Sequence, residues 1–211
     1  MSAARSDTAP TAGWSVPVQA VVSPRGIRAW LIEDRSVPVV ALSFAFMGGA
    51  ALDPSDRPGR ADLAASLLTQ GAGPHDTAAF SSLLRDRAVS LSFDVDRDSF
   101  SGTLRVLEAE CDFGADMLAL VLAEPRFDAD ALARVKAQKV IALRREAEEP
   151  RTLASRRWWA ESLPGHPFAR PAGGTEEGIT PLGRDDLRAA MAAQLRRGSL
   201  VAAAAGAIDA T

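Results

Sequence analysis

The sequence predicts an α+β fold: a two-layer sandwich in which helices pack on one face of a mostly antiparallel sheet. Three observations predict it. Apolar and β-branched runs crowd the first hundred or so residues, helical periods fill most of the remainder, and one short apolar run returns near the end. The 211 residues, 47% of them hydrophobic, supply enough apolar surface for one sizeable core.

Each element follows in order. Residues 1–14, rich in Ala, Ser, Thr and Pro, read as a flexible leader, and 15–211 as a single domain. "VQAVVS", "IRAWLIE" and "VPVVALSFAF", separated by "SPRG" and "EDRSVP", read as three strands of an antiparallel meander. "MGGAALDPSDRPG" is a loop marked by glycine and proline that delivers the chain to a first helix. There Leu63, Ala64, Leu67 and Leu68 form an apolar stripe with helical spacing, while Asp62, Ala65, Ser66 and Thr69 share the other face. Asp76 is placed to cap a second helix over 77–87.

"VSLSFDVD" alternates strictly, with Val89, Leu91, Phe93 and Val95 against Ser90, Ser92, Asp94 and Asp96, as a half-buried strand does. "SFSGTLRVL" supplies its neighbour across a turn at Arg97 and Asp98. Helices follow over 109–123, 128–148 and 151–162, the first two stopped by Pro125 and Pro150. "PGHPFARPAGG" is a loop, "PLGRDDLRAAMAAQLRR" another helix, and "SLVAAAAGAI" a closing strand.

Composition removes several function classes. The net charge of −3 comes from 24 basic and 27 acidic residues scattered along the chain, with no basic stripe for nucleic acid and no polybasic membrane patch. No run has the length of a membrane span. Cys111 is the sole cysteine, which excludes an internal disulfide or a thiolate cage and suits a small buried hydrophobe. His75 and His166 are the only histidines, and tyrosine is absent. His75 fits a loop or capping role ahead of a helix; His166, between Gly165 and Pro167, fits a turn packed on the helix before it. No G-x-S-x-G marks a nucleophile, and "MGG" and "GAG" lack the context of a phosphate-binding loop. Trp158 and Trp159, preceded by Arg156 and Arg157, are adjacent on one helix, which reads first as a wide buried face, with partial exposure of one of them at an interface as the alternative.

The succession "VPVVALSFAFMGGAALDPSDRPGRADLAASLLTQGAG" and, much later, "PGHPFARPAGGTEEGI" resembles the insulinase/pitrilysin family of zinc metallopeptidases, which includes mitochondrial processing peptidase. The resemblance runs over about 16–208. In that family the first helix carries H-x-x-E-H, and the later loop reads H-P-Y followed by glycine. Here His166-Pro167-Phe168 with Gly173 and Gly174 matches the loop, but the helix departs from the motif. Two histidines one turn apart hold zinc, and the glutamate beside them takes a proton from the metal-bound water. The resemblance places the first histidine on Asp62, the glutamate on Ala65 and the second histidine on Ser66. The third ligand, a glutamate, falls within Ile141, Ala142 and Leu143, with Glu146 a turn away. A protein-held zinc site is worth on the order of 10–16 kcal/mol, several per ligand, so one carboxylate and a hydroxyl do not replace that set. No catalytic residue, metal ligand or cofactor is expected.

The resemblance implies a non-catalytic subunit that pairs with an active zinc peptidase chain, helping to enclose a chamber for peptide or unfolded polypeptide. The present chain corresponds to the first of two similar halves. In the resembling peptidases a strand placed like 89–96 adds an extended peptide to the sheet, which would put Ser90 and Ser92 on the polar side of a peptide-binding edge. The alternatives are a purely structural assembly protein of the same fold, and a peptidase with a relocated site using Asp62 and Glu146. By resemblance the periplasm or cell envelope is a plausible location for an exported form, and the cytoplasm otherwise.

Overall fold

Alternation along the strands sets the two faces of the sheet. The computed structural model describes residues 16–210, so the expected leader over 1–14 lies outside the described residues. Six strands, β1 (Gln19–Val22), β2 (Arg28–Glu33), β3 (Val39–Met47), β4 (Ser90–Val95), β5 (Ser99–Leu107) and β6 (Leu200–Gly206), form one sheet in the order β1-β2-β6-β3-β5-β4. Leu31, Ala204, Leu42, Leu104 and Leu91 lie in one cross-strand row. The next row, Trp30, Ala203, Ser43, Thr103 and Ser92, points to the opposite face, where Trp30, Ala203, Ser43 and Ser92 are exposed. One face therefore meets the helices and the other is open.

Among the described residues seven helices accompany the sheet: α1 (Arg60–Leu67), α2 (Thr77–Asp86), α3 (Cys111–Ala123), α4 (Ala129–Glu146), α5 (Pro150–Ser162), α6 (Glu176–Ile179) and α7 (Arg184–Gln194). The core joins Phe44, Phe46 and Phe100 of the sheet to Leu63, Leu67 and Leu68 around α1, Val121 of α3 and Leu187 of α7. Phe44 and Phe46 meet edge to face at 6.0 Å, and Phe93 stacks on Phe100 at 6.1 Å. Gly102, opposite Phe44 across β3 and β5, leaves room for the ring: a Cβ there would lie 2.4 Å from its Cζ.

The α+β class and the elements stand as the sequence predicts, with differences. The meander holds for β1 and β2 only, because β6 enters between β2 and β3, parallel to the first and antiparallel to the second. The helix expected from 109 is preceded by a 3-10 turn over Glu108–Glu110, and the one expected to 148 ends at Glu146. Pro150 does not merely stop α4; it starts α5 at the first helical position, where its missing N–H costs nothing. Helix α6 escapes sequence reading because four residues carry no period. Asp76 caps α2 as expected, accepting from the Ala79 N–H at 2.9 Å.

Helix α1 begins in an unexpected way. Gly59, its N-cap residue, has φ +93° and no side chain to cap with. The cap comes instead from Asp53, which is 4% exposed and whose two carboxylate oxygens accept from the Gly59 and Ala61 N–H groups, both at 3.0 Å. The Arg60 Nε lies 3.7 Å from the same carboxylate. Removing it strands two buried donors, so Asp53→Ala is expected to lower unfolding free energy by about 2–4 kcal/mol in urea titrations. An unchanged midpoint would remove Asp53 from this role.

Candidate functional site: a metal helix without metal ligands

The site grows from the loop and helix that Asp53 joins. The Arg170 Nη2 donates to the Asp53 carbonyl at 2.9 Å, tying the later loop to the same point. Gly174 lies so close to the start of α1 that a Cβ on it would sit 2.4 Å from the Pro58 carbonyl oxygen. Gly174, the second glycine of "PAGG", thus has a physical reason: a backbone passes there with no room for a side chain, whereas Gly173 faces open space. Burial pushes the Asp53 carboxyl above the usual carboxylate range, opposed by the Ala61 and Gly59 N–H groups and by Arg60.

His166 performs the turn role its sequence context predicts. Its Nδ1 accepts from the Phe168 N–H at 3.1 Å, and its ring meets Phe168 edge to face at 4.9 Å. Arg97, from the turn between β4 and β5, donates from Nε to the Phe168 carbonyl at 3.1 Å and lays its guanidinium 4.1 Å over the Trp159 ring. Trp159 is half-buried and Trp158 is 60% exposed, so the pair divides as adjacency on a helix requires. Helix α5 has no buried residue, and a wide buried face is not what it presents. His75 lies in the loop before Asp76, its backbone paired with Ala72. Cys111 opens α3 half-buried, rather than fully buried as expected.

The positions to which the resemblance assigns the zinc motif are engaged in contacts of other kinds. Asp62 forms an ion pair with Lys139 of α4. The Ser66 hydroxyl donates to the Asp62 backbone carbonyl at 2.9 Å, a bond within its own helix. Ala65 is 4% exposed, so it packs into the core instead of joining an open face with Asp62, Ser66 and Thr69. Of the window expected for a third ligand, Ile141 and Ala142 are exposed and Leu143 is buried. The α4 residue that meets α1 is Lys139, a residue the sequence reading overlooked because it is a cation where a carboxylate was sought. Glu146 is engaged elsewhere, accepting from Arg156 of α5 at 2.9 Å, so a relocated site built on Asp62 and Glu146 does not form. A zinc ion needs imidazole, thiolate or carboxylate donors in convergence. Carboxylate, hydroxyl, methyl and ammonium do not fit it. Among the described residues no group of three or more His, Cys, Asp or Glu is placed to hold a metal.

Strand β4 is an edge of the sheet, with Ser90 and Ser92 exposed on its open face opposite Arg105 and Thr103 of β5. Leu91, Phe93 and Val95 turn inward, as alternation requires. Helix α1 packs beside β4, which brings the edge and the degenerate helix into one region.

Comparison with known proteins places this arrangement. No family profile matches the chain. It is 30% identical over 174 residues, 82% of this chain and 40% of the other, to the non-peptidase homolog YmxG of Helicobacter pylori. The crystal structure of a peptidase M16 inactive domain from Pseudomonas fluorescens superposes with a TM-score of 0.84 and 26% identity, over 91% of this chain and 47% of that one. A protease from Helicobacter pylori (TM-score 0.80, 12% identity, 92% of this chain and 47% of that one) shares the fold. So does a chain of complex III2 from Candida albicans with Inz-5 bound (0.71, 16%, 91% and 43%). The chain spans less than half the length of each of these proteins. The chain thus has the fold of an inactive M16, or insulinase-type, peptidase domain and is similar in sequence to a curated non-peptidase homolog. More specifically, the helix on which the resemblance places a zinc motif is joined to α4 by the Asp62–Lys139 ion pair.

Two outcomes follow from this geometry. The purified chain, incubated with zinc and passed through a desalting column, is expected to retain far less than an equimolar amount by atomic absorption. Arg97→Ala is expected to cost about 1–2 kcal/mol, to shift the tryptophan fluorescence and to speed protease cleavage in the 163–174 loop, since it removes both the cation–π contact and the bond to Phe168.

Proposed function

We propose that this chain supplies one wall of a peptide chamber, completed by a partner chain that carries an intact H-x-x-E-H. The observation that carries the reading is the fold of an inactive peptidase domain, matched over 91% of the chain, around a helix whose one carboxylate is already paired with Lys139. A protein of this shape contributes surface and not chemistry. The domain from 15 to 211 is read as the first of two similar halves, and the proteins it matches are more than twice as long as the matched region.

The edge strand β4 is the proposed contact for peptide. An extended segment of substrate pairs its backbone with the open edge, giving affinity with little sequence demand, and Ser90 and Ser92 border it without crowding. Among the described residues no helix is long and apolar enough to cross a membrane.

The test mixes the full-length protein with a chain bearing the intact motif and follows cleavage of an unfolded polypeptide. Stimulated hydrolysis is expected; a stable complex with no stimulation would instead establish an assembly role. Ser90→Lys combined with Ser92→Lys is expected to weaken peptide binding about tenfold or more while leaving the thermal midpoint nearly unchanged, because charge at an edge opposes strand addition. Unaltered binding would rule out β4 as the docking edge.

A further inference from the structure

The misfit between the donor set and zinc has a positive counterpart. Lys139 lies on α4 between Val135 and Leu143, each one turn away and both buried, so its stem runs along the seam between α4 and α1. Its ammonium meets the Asp62 carboxylate, at the position the family resemblance gives to the first metal-binding imidazole. Both side chains are largely withdrawn from solvent, 23% exposed for Lys139 and 18% for Asp62.

We propose that the Lys139 ammonium is a tethered cation standing in place of a metal: it fastens α1 to α4 and closes the position to divalent ions. This inference goes beyond the chamber reading and stands whether or not a partner chain exists.

Three features support it. The pair is electrically complete, since one carboxylate meets one ammonium and leaves no net negative charge to attract a second cation. A divalent ion approaching Asp62 would meet a positive charge already in contact with its only anionic donor, in a partly desolvated seam where repulsion is poorly screened. The neighbouring hydroxyl is no substitute, because Ser66 spends its proton on its own helix.

Two other cations of α4 also join it to neighbouring segments. The Lys136 Nζ donates to the Thr180 and Leu182 carbonyls, at 3.0 and 2.5 Å. Arg144 pairs with Glu176 of α6 and holds that carboxyl below the usual glutamate range. Lys139 differs in that its partner occupies a former ligand position.

The expected consequence is that restoring imidazoles alone does not restore a metal site. In the full-length protein, D62H/S66H is expected to stay free of zinc, whereas D62H/S66H/K139E takes up about one equivalent and binds it at least about 100-fold more tightly. Zinc content by atomic absorption and affinity by chelator competition read this, with circular dichroism confirming that both variants fold. K139M in the native background leaves Asp62 unpaired and is expected to lower the thermal midpoint by about 2–4 °C. Equal zinc uptake by the two histidine variants, uptake by neither, or an unchanged midpoint for K139M would each overturn the proposal.

Discussion

The buried Asp53 carboxylate is the contact on which the site region depends. It accepts from two backbone N–H groups at the start of α1, and its own carbonyl receives Arg170 from the later loop. The loop after β3, the first turn of α1 that follows it and the sequence-distant chain after α5 thereby share one anchor. A helix that opens on a glycine has no cap of its own, so the direction in which α1 leaves the sheet is set from outside it. Gln194 plays a related part at the end of α7, with Oε1 accepting from the Gly49 N–H and Nε2 donating to the Gly49 carbonyl. Both polar side chains are almost fully buried, and both spend their bonding capacity on backbone that no secondary structure satisfies.

This anchoring explains how a peptidase-like shape persists without peptidase chemistry. Ligands that bind a metal also hold together the helices that carry them. Here the elements around α1 are held by the Asp53 cap, the close passage of Gly174 and the Asp62–Lys139 pair. The largest contribution remains apolar. Leu63, Leu67 and Leu68 are completely withdrawn from solvent, and burial of such side chains is worth about 1.5–3 kcal/mol each. An ion pair in a partly exposed seam adds less to stability than to the choice of register between α1 and α4.

Much of the architecture was legible because its signals are local. Strict alternation over 89–96 identified β4, Asp76 announced α2, and the apolar stripe at Leu63, Ala64, Leu67 and Leu68 identified the side of α1 that enters the core. The identities of Asp62, Ala65 and Ser66 are themselves read from the sequence, but their bonding partners are not. What stayed hidden was non-local. Insertion of β6 between β2 and β3 depends on which strands accept its alanines, not on any pattern within them. Asp53 reads as an ordinary loop aspartate until the backbone it caps is in view, and Lys139 as one more helical cation. No spacing rule links position 139 to position 62.

The place of β6 bears on how the polypeptide is made. Strands β2 and β3 leave the ribosome early, yet the slot between them is filled by residues 200–206, well over a hundred positions later. Until that segment emerges, both face the gap with unsatisfied backbone, inviting mispairing with other nascent chains. Sheet closure is then a late, long-range event, the kind of step that slows acquisition of native structure and makes a molecular chaperone useful during translation.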